Sequence, residues 1–155
     1  MLRPNERGVR CALWHGDAVL LVRHSYGDRG WLLPGGRLRR RETPAEGARR
    51  EVDEEVGADV VGWDELGSIE TTTLHKRDTT FYLRARLGAD AGRLRVNGPE
   101  FSEVAWCAEG DLPSGASRDL VEAARRGFLA RPQGGCPRSP ATKRSTPTHS
   151  RYGRS

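Results

Sequence analysis

Short apolar runs separated by turn-forming residues predict strands in the first part of the chain. Residues 9–14 are apolar and β-prone, residues 15–17 (His-Gly-Asp) have turn chemistry, and residues 18–22 are apolar again. Two such runs around a short polar turn predict a β-hairpin. Residues 31–36 predict a further short buried strand, which ends in the breaker cluster Pro34-Gly35-Gly36.

The most complete local pattern predicts a helix over residues 44–56. Thr43 is a suitable N-cap, Pro44 suits the first helical position, and Glu46 at the third completes a capping box. Gly57 is a typical residue after a helix end. One face carries apolar residues at helical spacing, namely Ala45, Ala48, Val52 and Val56.

The remaining pattern predicts more strands and a second helix. Residues 60–73 are mixed and contain candidate strand residues, while residues 79–87 and 104–107 predict strands. Residues 117–129 predict a helix with one apolar face. Strands interleaved with two helices indicate an α/β protein, and we expect an α/β/α sandwich in which helices cover a mixed sheet.

Charge divides the 155-residue chain into a domain and a tail. The formal net charge is +5, and it resides in five basic residues, Arg138, Lys143, Arg144, Arg151 and Arg154. Residues 132–155 are also rich in Pro, Ser, Thr and Gly, which predicts a disordered basic tail after one domain over residues 1–131. Because that domain is formally neutral, a nucleic-acid partner is not expected.

Cysteine usage and hydropathy narrow the class of protein further. Cys11, Cys107 and Cys136 are widely spaced and odd in number, which argues against a disulfide framework and a cysteine zinc site. The first residues lack the apolar core of a signal peptide. No stretch approaches the roughly 18 apolar residues of a membrane span. We therefore expect a cytoplasmic protein with no membrane partner.

Three carboxylates on the first predicted helix are the main candidates for chemistry. Glu51, Glu54 and Glu55 stand three and four residues apart, so they are neighbours on one surface. Their mutual repulsion would be relieved by a divalent cation, and Mg²⁺ prefers such hard oxygen ligands. The alternative is a solvated acidic face paired with Arg49 and Arg50. The three carboxylates alone leave both interpretations open.

The residues around these carboxylates resemble the Nudix box. Gly36 is followed after five residues by Glu42, and after seven more by the run Arg50-Glu51-Val52-Asp53-Glu54-Glu55-Val56-Gly57-Ala58. Ala58 departs mildly from the larger aliphatic residue that is usual there. The resemblance extends less specifically over residues 8–131, with residues 31–36, 103–106 and 111–113 similar to other parts of the family.

The resemblance implies a Nudix fold and a magnesium-dependent pyrophosphohydrolase, with Mn²⁺ as the alternative metal. It implies metal ligands at Glu51, Glu54, Glu55 and the backbone carbonyl of Gly35. Arg50 is expected to orient the carboxylates by charge-assisted hydrogen bonds. Water would attack a phosphorus of the diphosphate while a carboxylate takes its proton. The catalytic set is then Glu54, Glu55, Arg50 and Glu103, with Glu54 the preferred base and Glu100 and Glu103 the distal alternatives.

The implied substrate is a nucleoside diphosphate derivative, such as a nucleoside triphosphate, an ADP-ribose-like compound or a dinucleotide. We expect substrate contacts from Arg23, His24, Arg37 and Glu100. Gly47 lies on the carboxylate face, where a missing side chain would leave room for substrate. The alternatives are a non-catalytic regulatory module, an RNA 5′-end pyrophosphohydrolase, and an isomerase that uses Cys11. A homodimer is a further expectation that the residues leave open.

Overall fold

The computed structural model describes residues 5–25, 29–57, 60–73, 75–88, 94 and 101–133. Within these ranges the chain forms six strands and two helices: β1 (Arg7–His15), β2 (Ala18–His24), β3 (Gly35–Arg37), α1 (Pro44–Glu55), β4 (Val60–Thr73), β5 (Lys76–Leu87), β6 (Phe101–Ala108) and α2 (Arg118–Arg125). The predictions for Ala58, Glu100 and residues 134–155 lie outside the described residues.

The described strands form one mixed sheet. Its order is β4-β5-β1-β2-β6, and β3 pairs with β1 beside this path. β1 and β5 run parallel, whereas the other pairs are antiparallel. The predicted mixed sheet is therefore confirmed.

Both faces of the sheet are buried, because side chains along β1 alternate between two apolar cores. Val9, Cys11 and Leu13 pack with α1, whereas Ala12 and Trp14 pack with α2 on the opposite face. Alternation with a period of two is the geometry of an extended strand. One helix thus covers each face, as expected for the α/β/α sandwich.

Helix α1 begins where the capping box predicts. The Thr43 hydroxyl accepts a hydrogen bond from the Glu46 backbone N–H, and the Glu46 carboxylate accepts one from the Thr43 N–H. Ala48 and Val52 are buried on its inner face, with Val56 buried at the C-cap. Burying each valine contributes about 1.5–3 kcal/mol, so this contact seats the helix on the sheet.

The strand predicted over residues 31–36 begins later than expected. Trp31 and Leu32 make only isolated bridges, and regular pairing with β1 starts at Gly35. The Cys11 N–H of β1 donates to the Pro34 carbonyl, and Leu32 exchanges backbone hydrogen bonds with Val22 of β2. This segment therefore lies between β1 and β2 before β3 begins. A Cβ at Gly35 would lie 2.0 Å from the Val9 carbonyl oxygen, which explains why glycine is required there.

The second helix ends earlier than the predicted residue 129. The N–H groups of Gly127 and Phe128 donate to the carbonyls of Ala124 and Ala123, the pattern of a Schellman motif. Gly127 adopts a φ of 79°, which reverses the chain after Arg126. Phe128 then stacks on Tyr82 at 5.1 Å between ring centroids and closes the α2 side of the core.

Neither helix of the described chain has the length and apolar character that a membrane span requires.

Gly47 provides space for core packing, so the expectation that it leaves room for substrate is wrong. A Cβ at this buried position would lie 2.1 Å from Cδ2 of Leu38. We predict that Gly47→Ala destabilises the protein, because an overpacking cost of about 1–3 kcal/mol exceeds a propensity gain of about 1 kcal/mol. In a Leu38→Ala background the same change should instead stabilise it. Urea unfolding of the four proteins measures both effects, and the same sign in both backgrounds would contradict the packing explanation.

Candidate active site

Arg50 binds Glu42 in a bidentate contact through one edge of its guanidinium. Nε and Nη2 of Arg50 donate to the two Glu42 carboxylate oxygens at 2.7 and 2.8 Å. The side chains are only 16% and 11% exposed, so this bidentate pair is poorly screened by water. These hydrogen bonds, with one from the Arg39 backbone N–H, lower the pKa of Glu42 to about 2.

The same arginine also contacts carboxylates of α1. Its Nη1 donates to Glu51 at 2.8 Å and, more weakly, to Glu54 at 3.4 Å, while Nη2 also donates to the Arg37 carbonyl at 3.1 Å. Arg50 therefore makes the charge-assisted contacts expected from the sequence, and it ties α1 to β3.

Strand β3 passes directly against one of these carboxylates. A Cβ at Gly36 would lie 2.6 Å from Oε1 of Glu51, inside any allowed contact distance. Glu51 is 12% exposed in this narrow space. A side chain at position 36 would therefore displace the Glu51 carboxylate from this place.

The carboxyl group of Glu55 is buried, and few neighbouring groups compensate its polarity. Its Oε2 atom is buried and accepts no hydrogen bond from the described residues. Burial, followed by the nearby Glu51 carboxyl, raises the pKa of Glu55 to about 8, against opposing contributions from Arg10 and the Gly35 backbone. A buried carboxyl of this kind either keeps its proton or requires an added cation.

The box carboxylates fit a hard divalent cation by their chemistry. Within the described ranges, no three side chains of Asp, Glu, His or Cys are grouped closely enough to hold a metal ion, and Arg50 contacts Glu51 and Glu54. The oxygen donors are nevertheless adjacent, and Glu55 supplies a buried oxygen without a partner. Convergence of Glu51, Glu54 and Glu55 on one ion, and the Gly35 carbonyl ligand, stay predictions.

The predicted substrate residues on β2 and β6 form a second group. Arg23 pairs with Glu103 at 3.3 Å, donates to the Arg29 carbonyl, and lies over the Trp31 ring at 5.3 Å. His24 stacks on Phe101 at 5.1 Å. Glu103 is therefore held beside Arg23, and its predicted catalytic role stays a prediction.

Arg37, on β3, projects toward solvent. It is 72% exposed and pairs with Glu6 at 3.1 Å, so an incoming phosphate would compete with that carboxylate. Its predicted substrate contact is not tested by this geometry. The corresponding prediction for Glu100 falls on a residue outside the described ranges.

Sequence reasoning missed Arg10 and a cavity on the α2 face. The cavity has a volume of about 410 Å³ and is bordered by Ile69, Tyr82, Arg118, Asp119, Val121 and Glu122. A pocket of this size that is lined by apolar and polar side chains suits a small organic ligand. The sequence feature that could have indicated this region is Arg10, a charged residue inside an otherwise apolar strand.

We predict that Arg50 is required for stability because it compensates buried carboxylates. Arg50→Met should lower the free energy of unfolding by about 3 kcal/mol, and Arg50→Lys by less, since lysine keeps the charge but not the bidentate geometry. The exposed neighbour Arg49 provides the matched control, and Arg49→Met should change stability by under about 0.5 kcal/mol. Chemical unfolding gives these values, and equal losses at both positions would disprove the compensating role.

The raised pKa of Glu55 predicts an unusual pH dependence of the metal-free protein. Between pH 4.5 and about 8 the unfolded chain has lost a proton that folded Glu55 keeps, so stability should fall as pH rises. Glu55→Gln should remove this fall, and at pH 8 in EDTA it should melt above wild type. Adding Mg²⁺ should then stabilise wild type more than the variant. Thermal melts from pH 5 to 8 test this, and a wild-type melting temperature that does not fall over this range would refute it.

Comparisons with known proteins agree with this architecture. A family model described as the NUDIX domain matches residues 4–131. A candidate 8-oxo-dGTP diphosphatase 3 of Mycobacterium tuberculosis is 31% identical over 103 residues, which is 63% of this chain and 48% of that protein. The chain thus spans about half the length of the curated relatives it matches.

Two solved structures are similar in fold at low sequence identity. A MutT NUDIX hydrolase from Burkholderia pseudomallei has a TM-score of 0.70 at 19% identity, over 80% of this chain and 98% of that one. The NUDIX domain of Shewanella oneidensis NrtR, solved with ADP ribose, has a TM-score of 0.65 at 19% identity, over 81% and 87%. Because the family match spans all six strands and both helices described above, the chain belongs to the Nudix hydrolase family.

Proposed function

We propose that this protein is a Mg²⁺-dependent pyrophosphohydrolase that cleaves a diphosphate linkage in a nucleoside diphosphate derivative. The observation that carries the proposal is Glu55, a carboxyl with a buried, unpartnered oxygen beside Glu51. A sequence selected for stability alone would rarely keep such a group, because burying an uncompensated carboxylate is costly. We assign the activity to residues 1–131 and give the basic segment 132–155 no part in it.

The residues that would hold the metal are Glu51, Glu54, Glu55 and the Gly35 carbonyl. All four provide hard oxygen atoms, which favours Mg²⁺, with Mn²⁺ as the alternative. A divalent cation bound there would neutralise phosphate charge and lower the pKa of the attacking water.

Arg50 and Glu42 would keep these carboxylates in position during the reaction. The bidentate Glu42 pair fixes the Arg50 guanidinium, whose Nη1 then orients Glu51 and Glu54. Glu54 is 52% exposed and held only by weak contacts, to Arg50 at 3.4 Å and Arg39 at 3.5 Å. It is therefore the box carboxylate best suited to accept a proton from water. Glu103 and Glu100 stay the distal alternatives.

The cavity beside α2 supports a nucleoside as the group carried by the diphosphate. Apolar Ile69 and Val121 border it together with the polar side chains of Arg118, Asp119 and Glu122, a mixture that suits a base and its ribose. The names of a relative and a structural neighbour mention 8-oxo-dGTP and ADP ribose, both nucleotides. Arg23, His24 and Arg37 are the further residues proposed to contact substrate.

A non-catalytic nucleotide-binding module is the main alternative function. It is less favoured, because every glutamate of the box is present. An RNA 5′-end pyrophosphohydrolase is less favoured as well, since residues 1–131 are formally neutral.

Hydrolysis of a nucleotide panel with Mg²⁺ tests the proposal. The panel contains the ordinary deoxynucleoside triphosphates, 8-oxo-dGTP, ADP-ribose and diadenosine polyphosphates. We predict that Glu54→Gln and Glu55→Gln each lower kcat by about 100-fold or more on the preferred substrate, and that EDTA abolishes turnover. Glu109→Gln, at an exposed turn after β6, is the control and should retain full activity. If the wild-type protein hydrolyses none of these compounds, or if both variants keep its rate, the proposal fails.

A further inference from the structure

Arg10 is a charged residue in the middle of a buried strand. Its neighbours in β1, Val9 and Cys11, are 1% and 0% exposed, and Arg10 itself is half-buried. It projects to the α2 face, where it borders a narrow crevice with Leu33, Tyr82 and Asp119. A cation in such surroundings is costly unless a partner compensates its charge.

The described residues compensate Arg10 only in part. Its Nη1 donates to the Leu33 carbonyl at 3.1 Å, and no ion pair with an acidic residue is found for it in the described chain. A guanidinium has five N–H donors, so most of its bonding capacity remains for another acceptor. Arg84 on β5 is different, since two of its nitrogens contact Asp64 at 3.4 and 3.2 Å and a third contacts the Ala130 carbonyl.

The strand register places Arg10 between the acidic site and the cavity. On one side it pairs with Gly35 of β3, whose backbone interacts with the Glu55 carboxylate. On the other side it pairs with Tyr82 of β5, which borders the cavity. Arg10 is thus the direct strand neighbour both of the backbone that contacts Glu55 and of a residue that borders the cavity.

We propose that Arg10 binds the phosphate that joins the nucleoside to the diphosphate linkage. The proposal rests on the function proposed above and adds the residue that recognises the nucleoside-bound phosphate. A guanidinium matches two phosphate oxygens in bidentate geometry, and its bond to Leu33 limits its rotation. Arg10 thereby selects nucleotides over nucleosides and aligns the linkage with the acidic site.

A purely structural role for Arg10 makes a different prediction. Arg10 lowers the pKa of Glu55. If that were its whole role, replacing Arg10 would affect the protein only by changing the acidic site. Such a role would change melting temperature and metal affinity but not the affinity for a metal-free nucleotide. Binding of nucleoside 5′-monophosphates in EDTA therefore separates the two roles.

Isothermal titration calorimetry of the full chain with dGMP and AMP in EDTA is the test. We expect Arg10→Met to raise the Kd of the better-bound monophosphate by about 30-fold, and to leave the Kd of the corresponding nucleoside unchanged. Arg84→Met is the matched control, because it also removes a half-buried strand arginine, and it should leave both affinities unchanged. In turnover with Mg²⁺, Arg10→Met should raise KM more than it lowers kcat.

Arg10→Lys keeps the test decisive if Arg10→Met fails to fold. Lysine keeps the charge without the bidentate geometry, so a Kd about 10-fold above wild type is expected. The inference is overturned if folded Arg10 variants bind the monophosphate like wild type, or if wild type binds neither monophosphate. If the wild-type protein hydrolyses nucleotides but the Arg10 variants bind the monophosphate as tightly as wild type, only the role of Arg10 is disproved. If the Arg10 variants lose monophosphate binding but the wild-type protein hydrolyses none of the compounds, only the proposed reaction is disproved.

Discussion

Compensation of the carboxylates on α1 by Arg50 is the interaction on which the candidate site depends. One guanidinium bonds Glu42 in the preceding loop, Glu51 and Glu54 on the helix, and the Arg37 carbonyl at the end of β3. It thereby fixes the helix face and the strand that passes over it. The absence of a side chain at Gly36 lets the Glu51 carboxylate lie against this strand. The same contacts thus determine where the α1 carboxylates lie, how their charge is compensated, and how β3 passes over them.

Local features of the sequence were sufficient to predict α1, whereas features that depend on distant contacts were not. The capping box and the apolar spacing of α1 involve residues within one or two turns, so they could be read directly. The start of β3 depends on a hydrogen bond between Cys11 and Pro34, which lie on different elements. The end of α2 is an exception, because the Gly127 stop is local, yet the apolar pattern that continues to Phe128 extended the predicted helix past it.

The candidate site follows the same division. The contact of Arg50 with Glu54 follows from i, i+4 spacing on the helix, and the box motif indicated that Arg50 contacts these carboxylates. The pairing of Glu103 with Arg23, by contrast, depends on the register of β6 against β2, which sequence spacing does not give. Arg10 was missed for a related reason. Its neighbours Gly35 and Tyr82 belong to two other strands, and only the assembled sheet brings them together.

Two incompletely compensated groups, a carboxyl and a guanidinium, lie on either side of Gly35. Glu55 has a buried oxygen without a partner, and Arg10 has donors for which the described residues provide no acidic partner. Arg10 lowers the pKa of Glu55, but among the described residues the two form no ion pair. A cation alone would satisfy Glu55, and an anion alone would satisfy Arg10. A divalent cation bound to a nucleoside diphosphate would supply a partner to both groups at once. The two incompletely compensated groups therefore favour a metal–nucleotide complex over the metal alone or the nucleotide alone.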